Sequence, residues 1–145
     1  MSIQNKYNEF GKKIVEKLRD ENYKSYLKQN KLPREISLEE YYKLPRNNEY
    51  DPSLQKIDDE RFEFINSLSN KQKAQLDKLI LKTLDESAYN LLRTIEEDFF
   101  TKKSIGLTYE GKSLEEIYGE FLSGSFFGEY FLWIGKFSGY GGYQY

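Results

Sequence analysis

The chain has 145 residues and a formal net charge of −2; 38% are hydrophobic, 32% charged and 17% aromatic, and neither histidine nor cysteine occurs. That length suits one domain, and abundant aromatics with a small net charge exclude a disordered polyelectrolyte. The two absences exclude an imidazole base, a Ser-His-Asp arrangement, a thiol nucleophile, a disulfide and any metal site built on His or Cys.

Ile3, Tyr7, Phe10, Ile14 and Leu18 recur at the spacing of an amphipathic helix, which predicts a helix over 2–21. A continuation through Tyr23, Tyr26 and Leu27 ends before Pro33. Lys6, Lys13, Lys17, Lys24 and Lys28 form a basic stripe along it, but Glu9–Lys13 and Asp20–Lys24 at i,i+4 neutralise it locally. Residues 51–145 net −5, so a nucleic-acid partner is not expected.

Ser37-Leu38-Glu39-Glu40 is a capping box that opens a short helix closed by Pro45. The tetrapeptide Lys-Leu-Pro-Arg at 31–34 and again at 43–46 brackets that helix as a pair of stops. Asp51-Pro52 is an N-cap followed by Pro at the first helical position. Leu54, Ile57, Arg61, Phe64, Ile65 and Leu68 carry the next helix to Ser69, where Ser69 and Gln72 cap another. Leu76, Leu79, Ile80, Leu84, Ala88, Leu91, Ile95 and Phe99 then predict one long helix over about 70–100.

Residues 101–112 read as a loop, and Ser113-Leu114-Glu115-Glu116 is a third capping box leading into Ile117, Phe121 and Leu122. Beyond Gly124, Phe127, Tyr130, Phe131, Ile134 and Phe137 fit a helix, while Gly128, Gly135 and the aromatic density also suit a β-hairpin over 125–138. Helix is preferred, because Ser125 can cap it and Gly139 can stop it. Residues 139–145 read as a frayed tail.

Few residues invite chemistry. Asp58-Asp59-Glu60 and Glu96-Glu97-Asp98 are acidic runs, but neighbours on a helix point about 100° apart, so neither converges on one ion. Neither common phosphate-cradling loop occurs. Catalytic, metal and cofactor-binding residues are therefore all assigned as none. Glu86, Asn90, Arg93 and Glu97 form an exposed face with Arg93–Glu97 and Lys82–Glu86 pairs. Ser87, Thr94 and Asp98 project among the leucines as structural polar residues, with Asp98 needing a partner such as Lys102 or Arg61. Nine of the twenty residues from Phe126 to Tyr145 are aromatic. Phe127, Phe131, Ile134 and Phe137 are expected in the core, and Trp133, Tyr140 and Tyr143 at a partner contact.

Phe64-Ile65-Asn66-Ser67-Leu68-Ser69-Asn70-Lys71-Gln72 running into the leucine-rich helix resembles a pattern in small helical bacterial proteins of unknown function. Gly128-Glu129-Tyr130-Phe131-Leu132-Trp133-Ile134 with Phe137-Ser138-Gly139-Tyr140 shares the resemblance. Such proteins include immunity proteins that block bacterial toxins; the resemblance implies a partner of that kind and carries no catalytic residues. Lys outnumbers Arg 17 to 5, in keeping with an AT-rich bacterial genome.

The expectation is an all-α single domain, 1–145, of five to seven helices around the 70–100 helix. Its expected function is a non-enzymatic, cytoplasmic protein-binding module of the immunity or regulatory kind. The alternatives are a metal-independent enzyme using carboxylates and tyrosine, and a homodimeric structural protein. No signal peptide and no apolar run longer than Phe131–Ile134 is seen, so no membrane association is expected.

Overall fold

Ser2 starts the first helix, its hydroxyl accepting from Asn5 N at 3.3 Å. The structure, a computed structural model, describes residues 2–101, 106, 108–113 and 119–142, the side chains of Phe99, Phe100 and Lys112 excepted. Helix α1 (Ile3–Val15) passes through a π turn, Glu16–Asp20, into α2 (Glu21–Gln29). Tyr7, Gly11, Val15, Arg19 and Tyr23 are buried along it, each four residues from the last. Steps of four drift about 40° each around a regular helix. The wider π turn absorbs that drift and keeps Arg19 and Tyr23 inward. The expected stripe is corrected accordingly: Arg19 is fully buried, Leu18 half-buried and Ile3 exposed.

The chain is all-α apart from one minimal hairpin among the described residues. It falls into two compact units, Met1–Tyr23 with Ile80–Tyr145, and Lys24–Leu79. Helix α6 (Asn70–Thr101) gives 70–79 to the second unit and 80–101 to the first.

In the first unit α1 packs along α7 (Phe126–Phe137). The Trp133 indole sits within 6.1 Å, centroid to centroid, of the rings of Tyr7, Phe10, Phe121 and Phe126. Ala88 and Leu92 of α6 complete this core. Gly11 allows α1 to approach: a Cβ there would lie 2.5 Å from indole atoms. Ser125 caps α7, its hydroxyl accepting from Gly128 N at 3.1 Å, so 125–138 is a helix and the hairpin alternative is overturned. The hairpin lies earlier, pairing β1 (Thr108–Tyr109) with β2 (Lys112–Ser113) across the end of the expected loop. Glu110 and Gly111 both have positive φ there, as a tight hairpin turn demands. Ser113 is therefore a strand residue, and the remainder of the third capping box lies outside the described residues.

In the second unit α3 (Leu32–Glu35) and α4 (Leu38–Tyr42) lie against α5 (Pro52–Ser67). The capping box of Ser37 and Glu40, the Asp51 cap and the reciprocal Ser69–Gln72 bonds all form as predicted. The first Lys-Leu-Pro-Arg copy follows the end of α2 but then forms α3 itself, with Pro33 in its first turn; the second follows the end of α4. Asn66 Nδ2 donates to the carbonyls of Pro33 and Ile36 at 3.1 and 2.9 Å, and Tyr41 stacks on Phe62 at 3.8 Å. Arg34 grips Asp77 through two nitrogens at 2.6 and 2.9 Å.

Two helical faces differ from expectation. On α5, Phe62 and Ile65 are buried whereas Leu54, Ile57 and Phe64 are exposed. On α6 the inward residues are Asp85, Ala88, Leu92 and Glu96, while Leu79 and Leu91 face solvent.

Gly11→Ala should destabilise the fold by about 1–3 kcal/mol, because the indole is ringed by aromatics and cannot yield. Gly135→Ala, on an open face of α7, should stabilise by about 0.5–1 kcal/mol. Urea unfolding of both variants checks the pair, and equal midpoints would remove the close-approach role of Gly11.

Candidate functional site

Charge is buried in the first unit, and it shapes the surface above it. The Arg19 side chain has no exposure. Its Nε donates to Asp85 Oδ1 at 2.7 Å, its Nη2 to Asp85 Oδ2 at 3.4 Å and its Nη1 to Ser138 Oγ at 2.6 Å. Ser138 Oγ in turn donates to Asp20 Oδ1 at 2.7 Å, and Gly139 N donates to Asp20 Oδ2 at 2.9 Å. Tyr130 OH donates to Asp85 Oδ1 at 2.9 Å. Burial pushes the Tyr130 hydroxyl far above the usual phenol range, and the negative charge of Asp85 adds to that.

A second buried carboxylate, Glu129, accepts from Tyr7 OH, from Ser123 Oγ and N at 2.7 and 3.0 Å and from Leu122 N at 3.3 Å. Burial acts to raise its carboxyl, but these donors prevail and hold it below the ordinary carboxylate value. Tyr7 is pushed up to about 12 by burial and by its bond to Glu129. Glu96 Oε1 accepts from Phe126 N at 2.8 Å, capping the first turn of α7 from a neighbouring helix.

Asp85 also lines a pocket of about 400 Å³ with Glu86 and Tyr89 of α6 and Phe131 of α7. Residues 85, 86 and 89 share it because one helical turn separates 85 from 89. Tyr89 meets Phe127 edge-on at 5.0 Å and Phe131 at 6.2 Å, giving the pocket an aromatic wall. Phe131 is 42% exposed, and Glu86, paired with Lys82 at 3.1 Å, is exposed as well. The concavity suits an apolar group, with the exposed Glu86 carboxylate at its edge.

The expected contact residues are placed differently. Trp133 is 1% exposed and belongs to the core, which corrects its assignment to a partner contact. Tyr140 is partly exposed, edge-on to Tyr23 at 4.9 Å; Gly139 beside it is tied to Asp20 rather than frayed. Tyr143 lies outside the described residues, as does Lys102. Ser87 and Thr94 are exposed rather than set among the leucines, although the Thr94 hydroxyl does bond back to Asn90 O at 2.8 Å. Asp98 is half-buried and engaged by its surroundings. Phe131, expected in the core, is the exposed aromatic instead. The α7 pattern fails to separate them because apolar residues surround the helix: 126, 130, 133 and 134 make one valid face and 127, 131 and 134 another.

The acidic runs diverge as anticipated. Asp58 pairs with Arg61 at 3.2 Å, Asp59 with Arg46 at 2.7 Å and Glu97 with Arg93 at 2.8 Å. Among the described residues no group of three or more acids could hold a metal, and no helix is long and apolar enough to cross a membrane. No family model, curated protein or solved structure matches the chain.

Asp85→Ala leaves the buried Arg19 charge only the more distant Asp20 carboxylate, at 3.7 Å, and should cost about 3–5 kcal/mol, whereas Arg19→Met with Asp85→Leu should cost markedly less. Urea unfolding of the single and double variants decides this; a double variant as unstable as Asp85→Ala would contradict it. Glu129 gives a pH signature. Its folded carboxyl binds a proton less tightly than the unfolded one near 4.5, so its stabilisation is complete above that value and drains as pH falls through the lowered folded value. Thermal melts of wild type and Glu129→Gln should therefore differ at neutral pH and converge in acid.

Proposed function

We propose that this chain is a non-enzymatic protein-binding module of the immunity or regulatory kind, and that it grips its partner at the pocket of Asp85, Glu86, Tyr89 and Phe131. The observation that carries this reading is Phe131, 42% exposed in the pocket wall and backed by Tyr89, itself edge-on to Phe127. A part-exposed aromatic on a rigid helical support supplies contact area at little entropic cost. The resemblance to immunity proteins makes a toxin the partner of choice.

Electrostatics favour binding over the carboxylate–tyrosine enzyme. Burial acts to raise Asp59 and Asp77, but bonds from Arg46, Tyr41 and Gln55 to the one, and from Arg34 and Tyr26 to the other, hold both below the usual range. Tyr7 and Tyr42 are each raised to about 12, Tyr7 chiefly by burial and Tyr42 chiefly by its bond to Glu63. Acid–base catalysts work with pKa values near the operating pH, and these groups are moved away from it.

Affinity capture from the native cell with wild type and Phe131→Ala tests the proposal, with matched melting temperatures as the folding control. A partner retained by wild type and lost by the variant supports it. Equal recovery by both removes the pocket as the contact, and a wild-type dimer dissolved by Phe131→Ala assigns the pocket to self-association instead.

A further inference from the structure

The second unit carries a groove of about 500 Å³ on a different set of residues: Lys24, Leu27, Lys28, Lys31, Arg34 and Glu35. The groove follows α2 and α3, so Lys24 and Lys28 stand one turn apart, about 6 Å along the axis. Its lining is largely carbon, from Leu27 and the methylene stems of the basic side chains, with the charges at the rim.

Those charges are not balanced. Arg34 is committed to Asp77, and Lys31 reaches Glu35 at 3.6 Å, both ends well exposed. Lys24 and Lys28 are exposed and form no ion pair among the described residues. The i,i+4 spacing promises Asp20 to Lys24, but that pair does not form, and Asp20 accepts instead from Ser138 Oγ and Gly139 N. Four cations therefore face two acids, and the excess sits on the two lysines of α2.

We propose that this groove docks an acidic, amphipathic segment of a partner protein. An aliphatic side chain of the segment rests on Leu27, and carboxylates one helical turn apart meet the ammonium groups of Lys24 and Lys28. Charge complementarity selects this occupant. A nucleic acid would need a longer basic track, and the chain outside the first fifty residues is acidic. The surface shares no residue with the Phe131 pocket, so either can fail without the other.

The test uses a fluorescent synthetic helix with Glu pairs at i,i+4 flanking Leu, its Gln-for-Glu counterpart and a single-stranded oligonucleotide, titrated with the full chain. The acidic peptide should bind, more weakly as salt rises. Lys24→Glu with Lys28→Glu should weaken it by about tenfold or more at an unchanged melting temperature. Lys71→Glu and Phe131→Ala should leave it unaltered. Equal binding of the Gln peptide, tighter binding of the oligonucleotide, or an unmoved affinity in the double lysine variant each overturns the proposal.

Discussion

Putting the Arg19 guanidinium out of reach of water imposes demands on the rest of the first unit. An unpaired cation there would cost several kcal/mol, so the fold must deliver a carboxylate and further acceptors to the same point. Asp85 comes from α6, Ser138 from the end of α7, and Asp20 from the same π turn that aims Arg19 inward. Tyr130 then uses the lone pair on Asp85 that Arg19 leaves. Three segments far apart in sequence, the π turn, α6 and α7, are thereby fixed by one charge, and a shift of any of them would leave a buried polar group unmatched.

The aromatic core is built on the same terms. Trp133 packs among Tyr7, Phe10, Phe121 and Phe126, and the glycine at position 11 sets how close α1 may come. Glu129, on the inward face of α7, survives burial because Tyr7, Ser123 and the Leu122 amide meet it. With the inward carboxylates held by structural donors, Phe131 beside Tyr89 in one unit and the α2 lysines in the other stay on the surface. The lack of an ion pair at Lys24 among the described residues goes with what the interior takes up, since Asp20 accepts from Ser138 and Gly139 instead of meeting the lysine.

Most local signals were legible and held, Ser113 excepted, whose capping-box pattern gives way to a strand. The caps at Ser37, Asp51, Ser69 and Ser125 each depend on residues within four positions, so the chain needs no tertiary information to form them. Facing was less legible. A pattern that sorts apolar inward and charged outward cannot place Asp85, Glu96, Glu129 or Arg19, because their burial depends on partners 30 to 122 residues away. The same limit moved Trp133 from contact to core and Phe131 from core to surface. Two aromatic faces of α7 are equally apolar, and only the approach of α1 at Gly11 chooses between them.

By itself, then, the sequence determined that the protein is helical, where α1 and α4 to α7 begin, and that no histidine or cysteine chemistry is open to it, since these follow from residue identity and short-range bonds. The tertiary structure alone decided which face of each helix turns inward, which acids are neutralised and by what, and which aromatics remain exposed. Those outcomes follow from long-range satisfaction of buried charge, a condition that a linear pattern of polarity does not encode.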